Sequence, residues 1–173
     1  MKLEIGAGAR TKSGHLAVDL NPACAGVVAN ALHLPFADAS VEAIRAVDVL
    51  EHVSYRNTHE ALCEWHRVLV PGGKLYVQVP DAHVIMGWYV NENPRLEQME
   101  GRDCTLLEGA TWRLLGGHLD GKYVDVGGNW TWNAHFALFS KASLRDALNL
   151  AGFETVEMIT NGHPNICSDC VAR

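Results

Sequence analysis

A chain of 173 residues, 48% apolar and 20% charged, is long enough for one domain and short for two. A core of that size needs neither disulfides nor a structural metal. Lys and Arg total 14 against 20 for Asp and Glu, a formal charge of −6 with no basic run, which argues against a protein that clamps nucleic-acid phosphates and fits a small or uncharged partner better.

The N-terminal Met1-Lys2-Leu3-Glu4-Ile5-Gly6 meets an acid and a glycine before a signal core can form, and no apolar run is long enough to span a bilayer. The chain reads as cytoplasmic and without a membrane partner. Its five cysteines, at 24, 63, 104, 167 and 170, read as reduced thiols. In chain order, short apolar runs predict strands at 2–5, 15–18, 26–28, 43–47 and 74–79, and their apolar character predicts a parallel sheet buried on both faces. Between the last two, Ala61, Leu62, Trp65, Val68 and Leu69 recur at helical spacing over 57–69, and Pro71-Gly72-Gly73 is read as the stop. Residues 82–135, rich in aromatics and glycine, break the alternation; they are read as an insertion or lid with one helix near 94–109, inside a single domain of residues 1–173. Ser140 caps a predicted helix to Ala151, and strands at 153–159 and 166–172 follow as an antiparallel pair about the turn Asn161-Gly162-His163-Pro164.

The strand that runs into Glu4-Ile5-Gly6-Ala7-Gly8 delivers backbone to a ligand, because a side chain at 6 or 8 would take up the ligand's volume. A plain tight turn uses the same glycines. Asp19 ends the second apolar run, where a carboxylate can accept from two vicinal ribose hydroxyls; a turn or cap carboxylate is the simpler alternative. A nicotinamide dehydrogenase shares both features, but its fingerprint wants a third glycine where Thr11 stands. A cofactor without phosphates is therefore favoured.

Taken together, Glu4-Ile5-Gly6-Ala7-Gly8, Ala17-Val18-Asp19-Leu20 and residues 30–81 resemble the class I S-adenosylmethionine-dependent methyltransferases. Asn30-Ala31-Leu32-His33-Leu34-Pro35-Phe36 is similar to the family's D-A-x-x-L-P-F stretch. The run from Ser40 to Val53, ending Val49-Leu50-Glu51-His52-Val53, is similar to S-F-D-x-V-x-x-x-x-V-L-E-H-V, and Glu64 to Gly73 resembles E-x-x-R-V-L-K-P-G-G. The resemblance implies an α/β Rossmann-like, mostly parallel seven-stranded sheet of order 3-2-1-4-5-7-6, with helices on both faces and an insertion after strand 5. It implies S-adenosyl-L-methionine as cofactor and assigns its binding to Glu4, Gly6, Ala7, Gly8, Asp19, Leu20, Asn30, Ala31, Val47 and Asp48. Only 12 residues separate Gly6 from Asp19, room for at most a turn or so of helix.

Methyl transfer from a sulfonium depends chiefly on aligning an acceptor lone pair, and a hydroxyl or ammonium acceptor also needs a base. The candidates are His52 after the fourth strand, Asp81 after the fifth, and His118 and His135 in the aromatic insertion, with His135 first because within Trp130-Thr131-Trp132-Asn133-Ala134-His135 its polar ring interrupts an aromatic cluster that could wall a substrate pocket. Each histidine has the competing reading of a packed, hydrogen-bonded side chain. No metal site is assigned: His59 and His66 lie two helical turns apart, and Cys167 and Cys170 would point to opposite faces of a strand. The expected activity is O- or N-methylation of a small-molecule or sugar-like acceptor. A methyltransferase-like module that binds the cofactor or its demethylated product without catalysis is the alternative.

Overall fold

In the computed structural model, the residues described are 1–8, 11–99, 102–116, 134–160 and 164–173. The short apolar runs form β1 (Lys2–Ile5), β2 (Leu16–Asp19), β3 (Val27–Val28) and β4 (Val41–Val47); then come α1 (Thr58–Val68) and β5 (Leu69–Pro80). The chain continues through α2 (Ala82–Val90), the two-residue strands β6 (Gln98–Met99) and β7 (Arg102–Asp103), and α3 (Leu106–Leu115). It closes with α4 (Lys141–Leu150), β8 (Phe153–Thr160) and β9 (Asn165–Ala172).

Seven strands make one sheet in the order β3-β2-β1-β4-β5-β9-β8. Counting only its own members, that is the expected 3-2-1-4-5-7-6. Pairing is parallel from β3 to β5, and β9 runs antiparallel to β5 and β8. Alternation sorts each strand's side chains. Leu3, Ile5, Val18, Ile44, Ala46, Leu75 and Val77 point to one face and are buried with Leu62 and Trp65 of α1 and Leu144 and Leu148 of α4.

The opposite face carries a polar row set by register: Glu4 opposite Arg45, Arg45 opposite Tyr76, Tyr76 opposite Asp169. Glu4 and Arg45 form an ion pair, and the Arg45 guanidinium lies 5.8 Å from the Tyr76 ring centre. Lys2 and Lys74 on this face are exposed. The helix cover expected on both faces thus falls, for α1 and α4, on the apolar one. Among the described residues the connections from β1 to β2, β2 to β3 and β3 to β4 hold no helix, in keeping with their short length and their Gly, Pro and Asn content.

The methyltransferase-like motifs of the first half interlock physically. Glu64 accepts from the Leu34 N–H at 2.7 Å and from Arg67 Nε and Nη2, both at 2.7 Å. Arg67 also donates to the carbonyls of Leu34 and Phe36 at 3.2 and 3.0 Å and to Asp38 at 2.5 Å, while the Trp65 indole donates to the Ala31 carbonyl at 3.0 Å. One helix therefore holds the whole 31–38 loop in place.

Two expectations need correction. Pro71-Gly72-Gly73 does not stop α1, which ends at Val68 with Leu69 already paired to Val41. The next pairing is Ala43 with Lys74, so the Pro-Gly-Gly residues bulge out of β5, with Gly72 at φ +77°. Among the described residues the insertion holds two helices, α2 and α3, rather than one over 94–109; that span holds a single tight turn, Pro94–Glu97, the β6–β7 pair and only the first residues of α3. Thr105 and Glu108 form a capping box for α3, a signal the sequence carried. The near-continuously apolar Val84-Ile85-Met86-Gly87-Trp88-Tyr89-Val90 stretch has no helical period to read. Ile85, Leu96 and Ala110 give this region its own small core. The turn at 161–163 lies outside the described residues.

Candidate active site

The carboxyl ends of parallel strands border the crevice in open α/β sheets, and the candidate residues gather there. After β1 the backbone turns through Gly6 at φ +62° and Gly8 at φ +53°. The two glycines do different work. A Cβ on Gly6 would lie 2.3 Å from Val49 Cγ2, whereas one on Gly8 would meet nothing within 4 Å. Gly6 therefore lets the turn pack against the chain after β4, and Gly8 keeps a space open.

Asp19, half-buried at the end of β2, spans this turn. One carboxylate oxygen accepts from the Gly8 N–H at 2.9 Å and the other from the Asn21 N–H at 2.8 Å. Each oxygen keeps a second lone pair, so both remain able to take a hydroxyl. Ala7 is buried and Leu20, beside Asp19, is about half exposed at 49%, an apolar lip at the turn. Glu4 faces elsewhere: buried at 3%, it pairs with Arg45 and accepts from the Lys12 N–H, which folds the loop after β1 against the polar face. Asn30 Oδ1 accepts from the Leu32 N–H at 3.0 Å, closing an Asx turn whose next residue, Ala31, takes the Trp65 bond.

Beyond Val47, Asp48 adopts φ +53°, rare for a residue with a side chain and found most at functional turns. Burial raises its carboxyl above the ordinary value against the Gln78 amide, which donates at 3.2 Å. A tight turn, Leu50–His52, follows. Residues 134–137 lie across it: the Phe136 and Ala137 N–H groups both donate to the Glu51 carbonyl, at 2.7 and 3.2 Å. His52 Nδ1 is 3.1 Å from the Ala134 carbonyl. A carbonyl only accepts, so Nδ1 carries the proton and Nε2 of the neutral ring holds the lone pair. The rings of His52 and His135 meet edge to face, centres 4.9 Å apart. Burial lowers the His52 pKa against the pull of that carbonyl and of Asp48.

Glu51 joins them. It is 1% exposed, and neither carboxylate oxygen has a hydrogen-bond partner among the described residues. Burial, with Asp48 adding to it, pushes its carboxyl well above the usual carboxylate range. Sequence reasoning named His52 and His135 separately and missed Glu51. The available signal was an acid inside the otherwise apolar Val49-Leu50-Glu51-His52-Val53 run.

Asp81 is not part of this group: it caps α2, accepting from the Val84 N–H at 3.3 Å. His118 and Trp130-Thr131-Trp132 lie outside the described residues. His66 packs edge to face on Phe153 at 5.2 Å and His59 contacts Cys63, so the two rings serve different neighbours. Cys167 contacts Gln78 and Cys170 contacts Ser168.

Solved structures share this architecture. A Pyrococcus horikoshii protein superposes with TM-score 0.65 at 16% identity, covering 99% of this chain and 81% of that one. The Burkholderia thailandensis 1,6-didemethyltoxoflavin-N1-methyltransferase, crystallised with bound 1,6-didemethyltoxoflavin and S-adenosylhomocysteine, gives 0.59 at 18% identity, with 99% of this chain and 70% of that one covered. At such identities the likeness speaks for the fold. A family model described as a methyltransferase domain matches residues 3–77, from β1 into β5. Over residues 3–77 the chain matches a methyltransferase domain, and this match together with the shared fold supports a class I S-adenosylmethionine-dependent methyltransferase domain.

A human relative, probable tRNA methyltransferase 9B, is 40% identical over 60 residues, which is 34% of this chain and 13% of that protein's length. The cofactor of this methyltransferase domain is S-adenosylmethionine, and the residues present fit it. A Cβ on Gly8 would meet nothing within 4 Å, so backbone there is open to a ligand, and Asp19, bonded to the Gly8 N–H, keeps two lone pairs to spare. Among the described residues no helix is long and apolar enough to cross a membrane.

Proposed function

We propose that this methyltransferase domain methylates an oxygen or nitrogen of a small, sugar-like acceptor, with residues 82–135 shaping the acceptor side and His135 and His52 handling the acceptor's proton. When bound, S-adenosylmethionine supplies an electrophilic methyl group that any aligned lone pair displaces in line. In this reading Gly8 leaves room for the methionine end, Asp19 holds the ribose hydroxyls, and Ala7, Leu20, Asn30 and Ala31 border the adenosyl part. Val47 and Asp48 form the floor.

The observation that carries the reading is the meeting of His52 and His135, ring centres 4.9 Å apart, beside Asp48 and Glu51 in the segment that leaves the strand next to β1. Fixing Nδ1–H of His52 on the Ala134 carbonyl leaves its Nε2 unprotonated, and its lowered pKa keeps the ring neutral near pH 7. A positioned base of this kind contributes on the order of 10²–10⁴ in rate. The formal charge of −6 supports an acceptor without a phosphate backbone.

Incubation with methyl-labelled S-adenosylmethionine and separate pools of phenols, sugars, amines and total tRNA tests this directly. The expected result is label in one small-molecule pool, reduced on the order of a hundredfold by His135→Gln. Label in tRNA alone overturns the acceptor class. Tight S-adenosylhomocysteine binding with label in no pool overturns catalysis and supports the binding-module alternative.

A further inference from the structure

The mechanism proposed above leaves Glu51 without a task. A carboxylate that is 1% exposed and has no hydrogen-bond partner among the described residues for either oxygen is costly to bury. Such a group persists where a partner that is not a side chain completes it. Its neighbours indicate what that partner is. Glu51, His52 and His135 each offer a ligand atom, and these atoms lie within 4.8 Å of one another.

We infer that Glu51, His52 and His135 form a binding site for a divalent transition-metal ion of the zinc, manganese or cobalt type. Two imidazoles and one carboxylate are the donor set such ions take, harder than a thiolate site and softer than an all-oxygen one. Bonds of about 2.1 Å in a tetrahedral site put neighbouring ligand atoms about 3.4 Å apart, so the trio closes on an ion by small side-chain rotations. The outer contacts match as well. A ligating histidine donates its second ring N–H to a carbonyl or carboxylate, which fixes the tautomer, and His52 holds that bond to Ala134 at 3.1 Å.

The backbone frames the cluster. The Phe136 and Ala137 N–H groups on the Glu51 carbonyl, and the His135 N–H on the Leu115 carbonyl at 3.0 Å, tie the two chain segments together on either side of it. Three protein ligands leave at least one position open. Resting on the acceptor-site reading above, that position takes an oxygen of the acceptor; because the ion then holds the lone pair of His52 Nε2, the histidines act as its ligands rather than as the base, and the acceptor hydroxyl, its pKa lowered by the ion, loses its proton to solvent. The inference therefore points to an oxygen acceptor over a nitrogen one.

The test begins with the metal alone. The full chain, freed of metal by chelator, is titrated with Co(II) and with Zn(II) in the absence of any acceptor, and the Co(II) absorption spectrum is recorded. One equivalent per chain is expected, with an N/O ligand-field spectrum, and with affinity reduced about a hundredfold in Glu51→Gln and in His135→Gln. Circular dichroism and S-adenosylhomocysteine binding are measured for both variants, and whichever retains them carries the comparison. Stoichiometric binding that both well-folded variants retain, a thiolate charge-transfer band, or no binding by the wild-type chain overturns the site. Because cofactor binding and methyl transfer are measured separately, an active chain that binds no metal refutes this inference alone. A metal-binding chain that transfers no methyl refutes the catalytic reading alone.

Discussion

The two glycines of the turn after β1 predict opposite phenotypes for the same substitution. Gly6→Ala places a methyl 2.3 Å from Val49 Cγ2 at φ +62°. The left-handed backbone costs roughly 1–2 kcal/mol with a side chain, and overpacking adds roughly 1–3 kcal/mol. The expected loss of about 2–5 kcal/mol is a large share of a typical stability of about 5–15 kcal/mol. Gly8→Ala carries only the backbone strain, because a Cβ there meets nothing within 4 Å, yet its methyl enters the volume assigned to the cofactor. It is expected to fold within about 2 kcal/mol of wild type and to bind S-adenosylhomocysteine at least about tenfold more weakly, about 1.4 kcal/mol or more. Urea unfolding and titration calorimetry on both variants separate the two effects. The Gly6→Ala/Val49→Ala pair should recover about 1–3 kcal/mol over additivity. Equal stability losses in both variants, or unchanged ligand affinity in Gly8→Ala, would refute the division of labour.

Asp19→Asn removes the charge that faces the ribose position while keeping an acceptor oxygen; calorimetry should show S-adenosylhomocysteine affinity lower by about tenfold or more, since hydrogen bonds to charged groups contribute about 1.5–3 kcal/mol. In the metal-free protein the raised Glu51 carboxyl means the folded state binds more protons than the unfolded one above pH 4.5, so this group lowers stability as pH rises. The difference in urea stability between Glu51→Gln and wild type should therefore grow from pH 4.5 upward, by up to about 1.4 kcal/mol per unit, and a flat difference contradicts the burial argument. His52 acts in the other direction: its lowered pKa makes stability fall as pH drops below 6.5, a slope that His52→Gln should abolish. Arg67→Met removes the clamp on Leu34, Phe36, Asp38 and Glu64, and thermal or urea unfolding should register a loss of about 2–4 kcal/mol.

The strand order came from the resemblance of the motifs to a known family, whereas the helix under Trp65 and the Ser140 cap were legible because period and capping are local properties written in contiguous residues. Asp19 was legible for the same reason, at the end of an apolar run before a turn. What the sequence hid is what distance in the chain hides. Glu51 and His135 are 84 positions apart (135 less 51), and only the crossing of 134–137 over the Leu50–His52 turn makes them neighbours. Gly6 was misread for a similar reason: its constraint comes from Val49, on another strand's exit. Glu4 was assigned to the cofactor by its place beside the glycines, but strand alternation turns it to the far face of the sheet, toward Arg45. The helix at 82–90 escaped notice because beyond His83 its residues are apolar almost without interruption and show no period.

The charged row through Glu4, Arg45, Tyr76 and Asp169 bears on how small such a domain can become. A sheet whose second side were greasy would aggregate once stripped of its covering helices, and its strands would have to lengthen their connections to carry them. Here cross-strand ion and ring contacts make that surface compatible with water, so the first three connections can shrink to turns without leaving an adhesive plane behind. Grafting a conventional amphipathic helix onto this side would meet charge where it needs oil, and the reverse exchange, replacing Arg45 and Glu4 with valines, should raise the chain's tendency to self-associate.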